Sequence, residues 1–276
     1  MLINTVILFL RDLLPIFIIL SFYLNHTETH IPINPILSRQ YKNLVITLLV
    51  GCLCAILIAN TAPVISQWNE GAGIEWLYSS GYGFTYLSLL YYCCVPSMPI
   101  KQQWALRFML FILMAISGAN FIIYFQGFWS EFGAIQAIVI GMILGIGICL
   151  SVAILLYFFL RYCELNQYRP SIHALFIIFI VGQVSQIINL LNQVNSLPDV
   201  FQNQQPLWQS QAFIAENSEW GHLLSSFIGY EDSPNLPYLS AYLCAYAFIL
   251  LIPILIKRIA SISTFLITQQ KDRRHV

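Results

Sequence analysis

Residues 2–24 read LINTVILFLRDLLPIFIILSFYL, an apolar run whose only charged residues are Arg11 and Asp12. About twenty apolar residues cross a hydrocarbon core as a helix, so this run is long enough to span. An ionisable side chain at membrane depth is costly and marks a site by default. No basic start and no small-residue cleavage site accompanies the run, so it reads as a retained span rather than a signal peptide.

The rest of the chain repeats the theme. Of 276 residues 58% are hydrophobic and 9% charged, with a mean hydropathy of +0.74. A water-soluble domain of this length cannot hide so much apolar surface. Apolar runs at about 2–24, 43–65, 73–95, 105–126, 133–160, 172–191 and 238–256 predict seven spans in a single domain covering 1–276. The runs are continuous, not alternating, which excludes an outer-membrane barrel and predicts an all-α integral membrane protein.

The basic residues orient it. Arg39 and Lys42, Lys101 and Arg107, Arg161 and Arg169, and the group from Lys257 to Arg274 follow alternate spans. The N-terminus and the connections near 66–72, 127–132 and 192–237 contain no Lys or Arg. Basic residues collect on the cytoplasmic side, so the N-terminus is expected outside and the basic tail 259–276 inside, across an inner (plasma) membrane. With so few clustered cations, nucleic acid is not an expected partner; the lipid bilayer is. The outer connections are acidic: Glu70, Glu131, Asp199, Glu216, Glu219, Glu231 and Asp232, with Glu75 near a helix start. That face reads either as solvated loops depleted of cations by topology, or as a surface that gathers cations or docks a basic partner.

Within 192–237, Trp220, Leu223, Leu224, Phe227 and Ile228 fall at helical spacing. Ser218 is a plausible start and Gly229 a plausible stop, predicting an amphipathic helix on the outer leaflet before the last span. Gly141-x-x-x-Gly145 predicts a close helix approach. The seven cysteines lie in or beside spans, form no Cys-x-x-Cys, and read as small, apolar, reduced residues.

Two stretches, MLINTVILFLRDLL at 1–14 and WGHLLSSFIGYEDSP at 220–234, carry a family likeness. They resemble the start of the chain and the entry to the final span in the oxidase-dependent iron permease family. Residues 141–157 and the polar turn 161–170 are similar too; spans two and three are least so. The resemblance implies seven spans, a 3+3 inverted repeat plus a final helix, iron as the cargo, and a periplasmic or membrane redox partner. It also implies two Arg-Glu-x-x-Glu motifs on spans one and four, whose carboxylates suit a hard ferric ion.

Both motifs are eroded here. The first reads Arg11-Asp12-Leu13-Leu14-Pro15. Pro15 stands where a second carboxylate belongs; it cannot ligate, and it removes a helix hydrogen bond and should kink the span. Counting back from Gly141 at the family's spacing, the second motif falls on Ser117-Gly118-Ala119-Asn120-Phe121, and no Arg, Asp or Glu occurs from Phe108 to Ser130. Asn120 and Gln126 are the strong oxygen donors of that span. Arg11, Asp12 and Asn120 are thus the remnant of the transport site. Arg11 and Asp12, adjacent on a helix, diverge by about 100° and need not pair. One carboxylate beside an arginine balances a trivalent ion poorly.

Weaker candidates remain. His222 with Glu219, Glu231 and Asp232 offers an outer metal site, against a solvated loop. His26 and His30 flank Glu28 and would share a helix face, but Pro32 and Pro35 follow, and a solvated inner connection is the expectation. Tyr78, Tyr82, Tyr86, Tyr91 and Tyr92 stripe span three. Gln183, Gln186, Asn189 and Gln193 stripe span six. Each stripe reads as interhelix hydrogen bonding or as the lining of a cavity. No haem-attachment, phosphate-loop or hydrolase pattern occurs, so an enzyme is not expected. Two readings stand: a divergent iron-permease-family protein with impaired or altered cation transport, or a non-transporting accessory subunit of a larger membrane complex, a respiratory one for example.

Overall fold

In a computed structural model the chain is built from helices, and residues 2–30, 36–95, 98–128, 134–194, 196, 206–215 and 218–272 are described. The helices are α1 (Leu2–His30), α2 (Ile36–Ile65), α3 (Gly73–Cys94), α4 (Pro99–Phe128), α5 (Ala134–Leu165), α6 (Arg169–Gln193), α7 (Glu219–Ile228) and α8 (Leu236–Asp272). Among the described residues no strand is present. Six helices, all but α3 and α7, are long and apolar enough to cross a membrane. Seven were expected. The 22-residue α3 is long enough, but Glu75, its serines and its tyrosines lower its apolarity; Tyr78, Ser79, Ser88 and Tyr92 are buried, while Ser80 and Tyr91 are exposed.

Burial ranks the helices. Inside the bundle lies 56% of the most apolar window of α1 and 44% of that of α4, against 22% for α2 and 28% for α5. The helices that carry Arg11 and Asp12 (α1) and Asn120 (α4) are therefore the central ones. On the outside, α2 and α5 present Leu49, Leu53, Leu57, Ile143, Leu155 and Phe158 to the surroundings, as helices solvated by lipid do.

Contacts give the directions. Thr5 Oγ1 lies 3.2 Å from Tyr124 Oη, the rings of Phe9 and Phe121 stand 4.6 Å apart edge to face, and Asp12 meets Asn120. Numbers rise on α1 as they fall on α4, so the pair is antiparallel. Beside α5, Phe9 packs on Gly145 and Ser21 Oγ donates to the Ala153 carbonyl at 2.9 Å, so α1 and α5 are parallel. Likewise α2 lies parallel to α4, with Met114 beside Gly51 and Ala55 beside Gly118. The close approach expected of the α5 glycines is seen at Gly145, where a Cβ would stand 2.5 Å from that of Phe9.

α7 forms as its sequence predicts. Ser218 Oγ accepts from the Gly221 amide, and Gly229 ends the helix at φ 67, a left-handed conformation that glycine adopts without strain. Instead of lying free on a leaflet, it wedges between α1 and α6. Gly182 of α6 approaches the Ile228–Gly229 backbone so closely that a Cβ there would stand 2.6 Å from the Ile228 carbonyl carbon.

Two expectations are corrected. The segment 25–30 is not a solvated connection: α1 continues to His30, and Asn25, His26 and Thr27 are buried. His26 Nε2 donates to Gln102 Oε1 at 3.1 Å, Gln102 Nε2 donates to the Tyr92 carbonyl, and Gln103 Nε2 donates to Gln40 Oε1 at 2.8 Å. His26 and Thr27 at the end of α1 thus find amide partners on α4. The side chains of Glu28 and His30 lie outside the described residues. Arg107, read as beside span four, sits within α4, its guanidinium 4.2 Å from the Trp104 ring. Pro15 lies inside α1, within its helical run Leu2–His30.

Candidate functional site

Arg11 opens the site. Its Nε donates to Asp12 Oδ1 at 3.0 Å, so the neighbours do pair, contrary to the diverging directions expected from helix geometry. Arg11's long stem folds back toward the carboxylate, and its side chain stays 49% exposed while that of Asp12 is 10% exposed. The other carboxylate oxygen is held from α4: Asn120 Nδ2 donates to Asp12 Oδ2 at 3.0 Å. The three residues singled out as the motif remnant therefore form one hydrogen-bonded unit. Pro15 lacks the N–H that would reach the Arg11 carbonyl along the helix.

This unit borders a cavity of about 260 Å³. Its walls also include Glu75, Tyr78 and Tyr82 of α3, Gln183, Gln186, Asn189 and Gln193 of α6, and Ser226 of α7. Both polar stripes thus turn to one space. The tyrosine stripe divides there: Tyr78 and Tyr82 line the cavity, Tyr86 Oη donates to the Ala245 carbonyl, and Tyr92 is buried toward the other end beside Phe176. α7 closes one side, where Gln183 Nε2 donates to the Ser226 carbonyl at 3.0 Å. Glu75, counted in the sequence only among the acids of the outer face, was missed as a lining residue, as was Ser226. Glu75 and Tyr78 are three apart on a helix and share a face, and that spacing was the available signal.

The cavity is blind. Further along α1, and correspondingly earlier on α4 and α6, Leu14, Ile18, Ile19, Leu106, Met109, Leu110, Leu113, Phe179 and Ile180 are buried at 0–1% exposure. This apolar layer separates the cavity from the His26–Gln102 end of the bundle.

Chemically, the cavity holds Arg11, Asp12 and Glu75 among hydroxyl and amide groups. Among the described residues no group of three His, Cys, Asp and Glu side chains is placed to hold a metal ion. His222, Glu231 and Asp232 do not assemble into one, and the side chain of Glu219 lies outside the described residues, as do Glu131, Asp199 and Glu216. Asp232 instead anchors the loop before α8 through its backbone, its carbonyl accepting from the Ser210 amide at 2.8 Å. Burial and the nearby Arg11 charge both hold the His222 imidazole below its usual pKa. The seven cysteines are free thiols.

Compared with protein-family models, with curated proteins and with solved structures, the chain matches none.

Proposed function

We propose that this protein is a divergent relative of the oxidase-dependent iron permeases that takes a small cation from the outer face into the cavity between α1, α3, α4 and α6. The observation that carries the reading is the meeting of Arg11, Asp12 and Asn120, positions aligned with the two family motifs, at the wall of a polar cavity. A cavity walled by five helices, mostly polar apart from Ile74 and Leu190 and ending on an apolar layer, has the form of a transporter open to one side. Helix pairing supports descent from two inverted halves: α1 rests on α5 as α4 rests on α2, while α1 meets α4 and α3 meets α6. In this reading α3 is the seventh span, its Glu75, Tyr78 and Tyr82 tolerated because they face the cavity. The N-terminus lies outside, the C-terminus in the cytoplasm, and the membrane is the inner membrane.

Erosion of the motifs alters the chemistry. With Asp12 neutralised by Arg11, a trivalent ion has too little negative charge to replace its hydration. Uptake into proteoliposomes tests the proposal: the wild-type chain should accumulate a small cation, and Asp12→Ala should abolish uptake. Uptake unchanged by that substitution would sink the assignment of the site.

One observation favours a second reading. Both Asp12 oxygens already have donors within the chain, as suits a structural unit. The permease fold would then serve as a scaffold docked in a larger membrane complex, and the chain would co-purify with unrelated subunits while transporting nothing.

A further inference from the structure

The Arg11–Asp12–Asn120 unit is internally satisfied, and this directs attention to the opposite wall. There Glu75 Oε2 and Tyr78 Oη are shielded from solvent and have no hydrogen-bond partner among the described residues. Tyr78 as a whole is 5% exposed. Both groups line the cavity, from one face of α3. Glu75 is half-buried, but a carboxylate oxygen and a buried hydroxyl left without a partner are disfavoured, so this arrangement calls for something to fill it. Water could supply a donor but no charge.

Charge narrows what fits. Arg11 and Asp12 cancel, leaving the single negative charge of Glu75. The oxygens able to join it are neutral: the Tyr78 hydroxyl and the side-chain amides of Gln186, Asn189 and Gln193 on α6. All are hard donors suited to alkali cations and to ammonium groups, and one carboxylate balances one positive charge. A divalent ion would leave a net positive charge in a site of low dielectric. We infer that the cavity binds a singly charged small cation, an alkali-metal ion or a small primary ammonium, through the Glu75 carboxylate and the Tyr78 hydroxyl. The binding centre has moved from the inherited α1–α4 motif pair to α3. This inference rests on the permease reading for its purpose but makes a separate claim about binding.

The test is thermal unfolding of the full chain in detergent at pH 8, followed by tryptophan fluorescence. Sodium, potassium, methylammonium and magnesium chlorides are compared at constant ionic strength against choline chloride. A ligand that binds only the folded state raises the midpoint in a saturable way. Sodium, potassium or methylammonium should do so, their relative effects showing which source of the charge the site prefers. Glu75→Gln, which keeps shape and removes charge, should weaken the apparent affinity about tenfold or more, as loss of a charge-assisted contact does, and Tyr78→Phe should weaken it less. No shift beyond the choline control in the wild-type chain overturns the inference without need of any variant. So does a larger effect of magnesium than of the monovalent ions, or an undiminished response in a monodisperse Glu75→Gln protein. Saturable binding without flux in liposomes would remove the transport reading and leave this site standing. Flux unaffected by Glu75→Gln would do the reverse.

Discussion

At the scale of single residues, the site turns on what holds Asp12. A carboxylate between an arginine and an asparagine amide accepts two hydrogen bonds, one of them charge-assisted. Replacing Asn120 by leucine removes the α4 donor while roughly preserving volume, and leaves Asp12 Oδ2 bare in a nearly buried place. Unfolding in detergent should show a loss of about 1–3 kcal/mol, the usual cost of orphaning a buried acceptor of this kind. A neutral result would mean that water replaces the amide freely. His222 makes a pH-dependent prediction. Its folded pKa lies below the usual 6.5, so the unfolded chain takes up the proton first as pH falls. The contribution of this residue to stability is therefore intact above pH 6.5 and declines below it. His222→Gln should flatten the acid side of the stability profile slightly, the imidazole being only half-buried.

At the scale of helices, α7 was the most legible element. A serine cap, an amphipathic spacing and a glycine stop appear in the structure where the sequence places them. The sequence did not carry its destination, because the close approach of Gly182 to Gly229 joins positions far apart in the chain. Gly229→Ala strains a left-handed residue and drives a Cβ toward Ser185 Oγ, 2.5 Å away. It should release α7 from α6, speeding amide exchange across Glu219–Ile228 while exchange in α4 stays slow. The end of α1 shows the opposite failure. Asn25, His26 and Thr27 look like a loop in the sequence, since polar residues before prolines usually are one. Gln102 and Gln103, on a helix predicted to begin later, supplied the partners of His26 and Thr27. α3 was legible as a polar stripe, but which tyrosines face the cavity depends on α6 and α7, and no local pattern states that.

At the scale of the whole molecule, the hydropathy runs found the helical membrane architecture because lipid imposes both the length and the continuity of apolar segments. Arg11, Asp12 and Asn120 were legible as separate candidates, but the antiparallel register that joins them, with positions 5, 9 and 12 of α1 meeting 124, 121 and 120 of α4, appears only in the structure. The cavity was less legible, since it belongs to no single helix. Alternating helix directions give a topology prediction. In a cysteine-free background, a cysteine at Gln211 should react with a membrane-impermeant thiol reagent from the outer side only, and one at Gln167 from the cytoplasmic side only. Reaction of both from the same side would refute the crossing of α6 that lies between them.

The central claim is that the cavity passes a cation, and the most direct measurement is tracer uptake by proteoliposomes across a panel of sodium, potassium, methylammonium, ferrous and ferric ions. The account predicts saturable uptake of at least one singly charged cation above that of empty liposomes, absent in Asp12→Ala and weakened in Glu75→Gln. Uptake indistinguishable from empty liposomes for every member of the panel would contradict it.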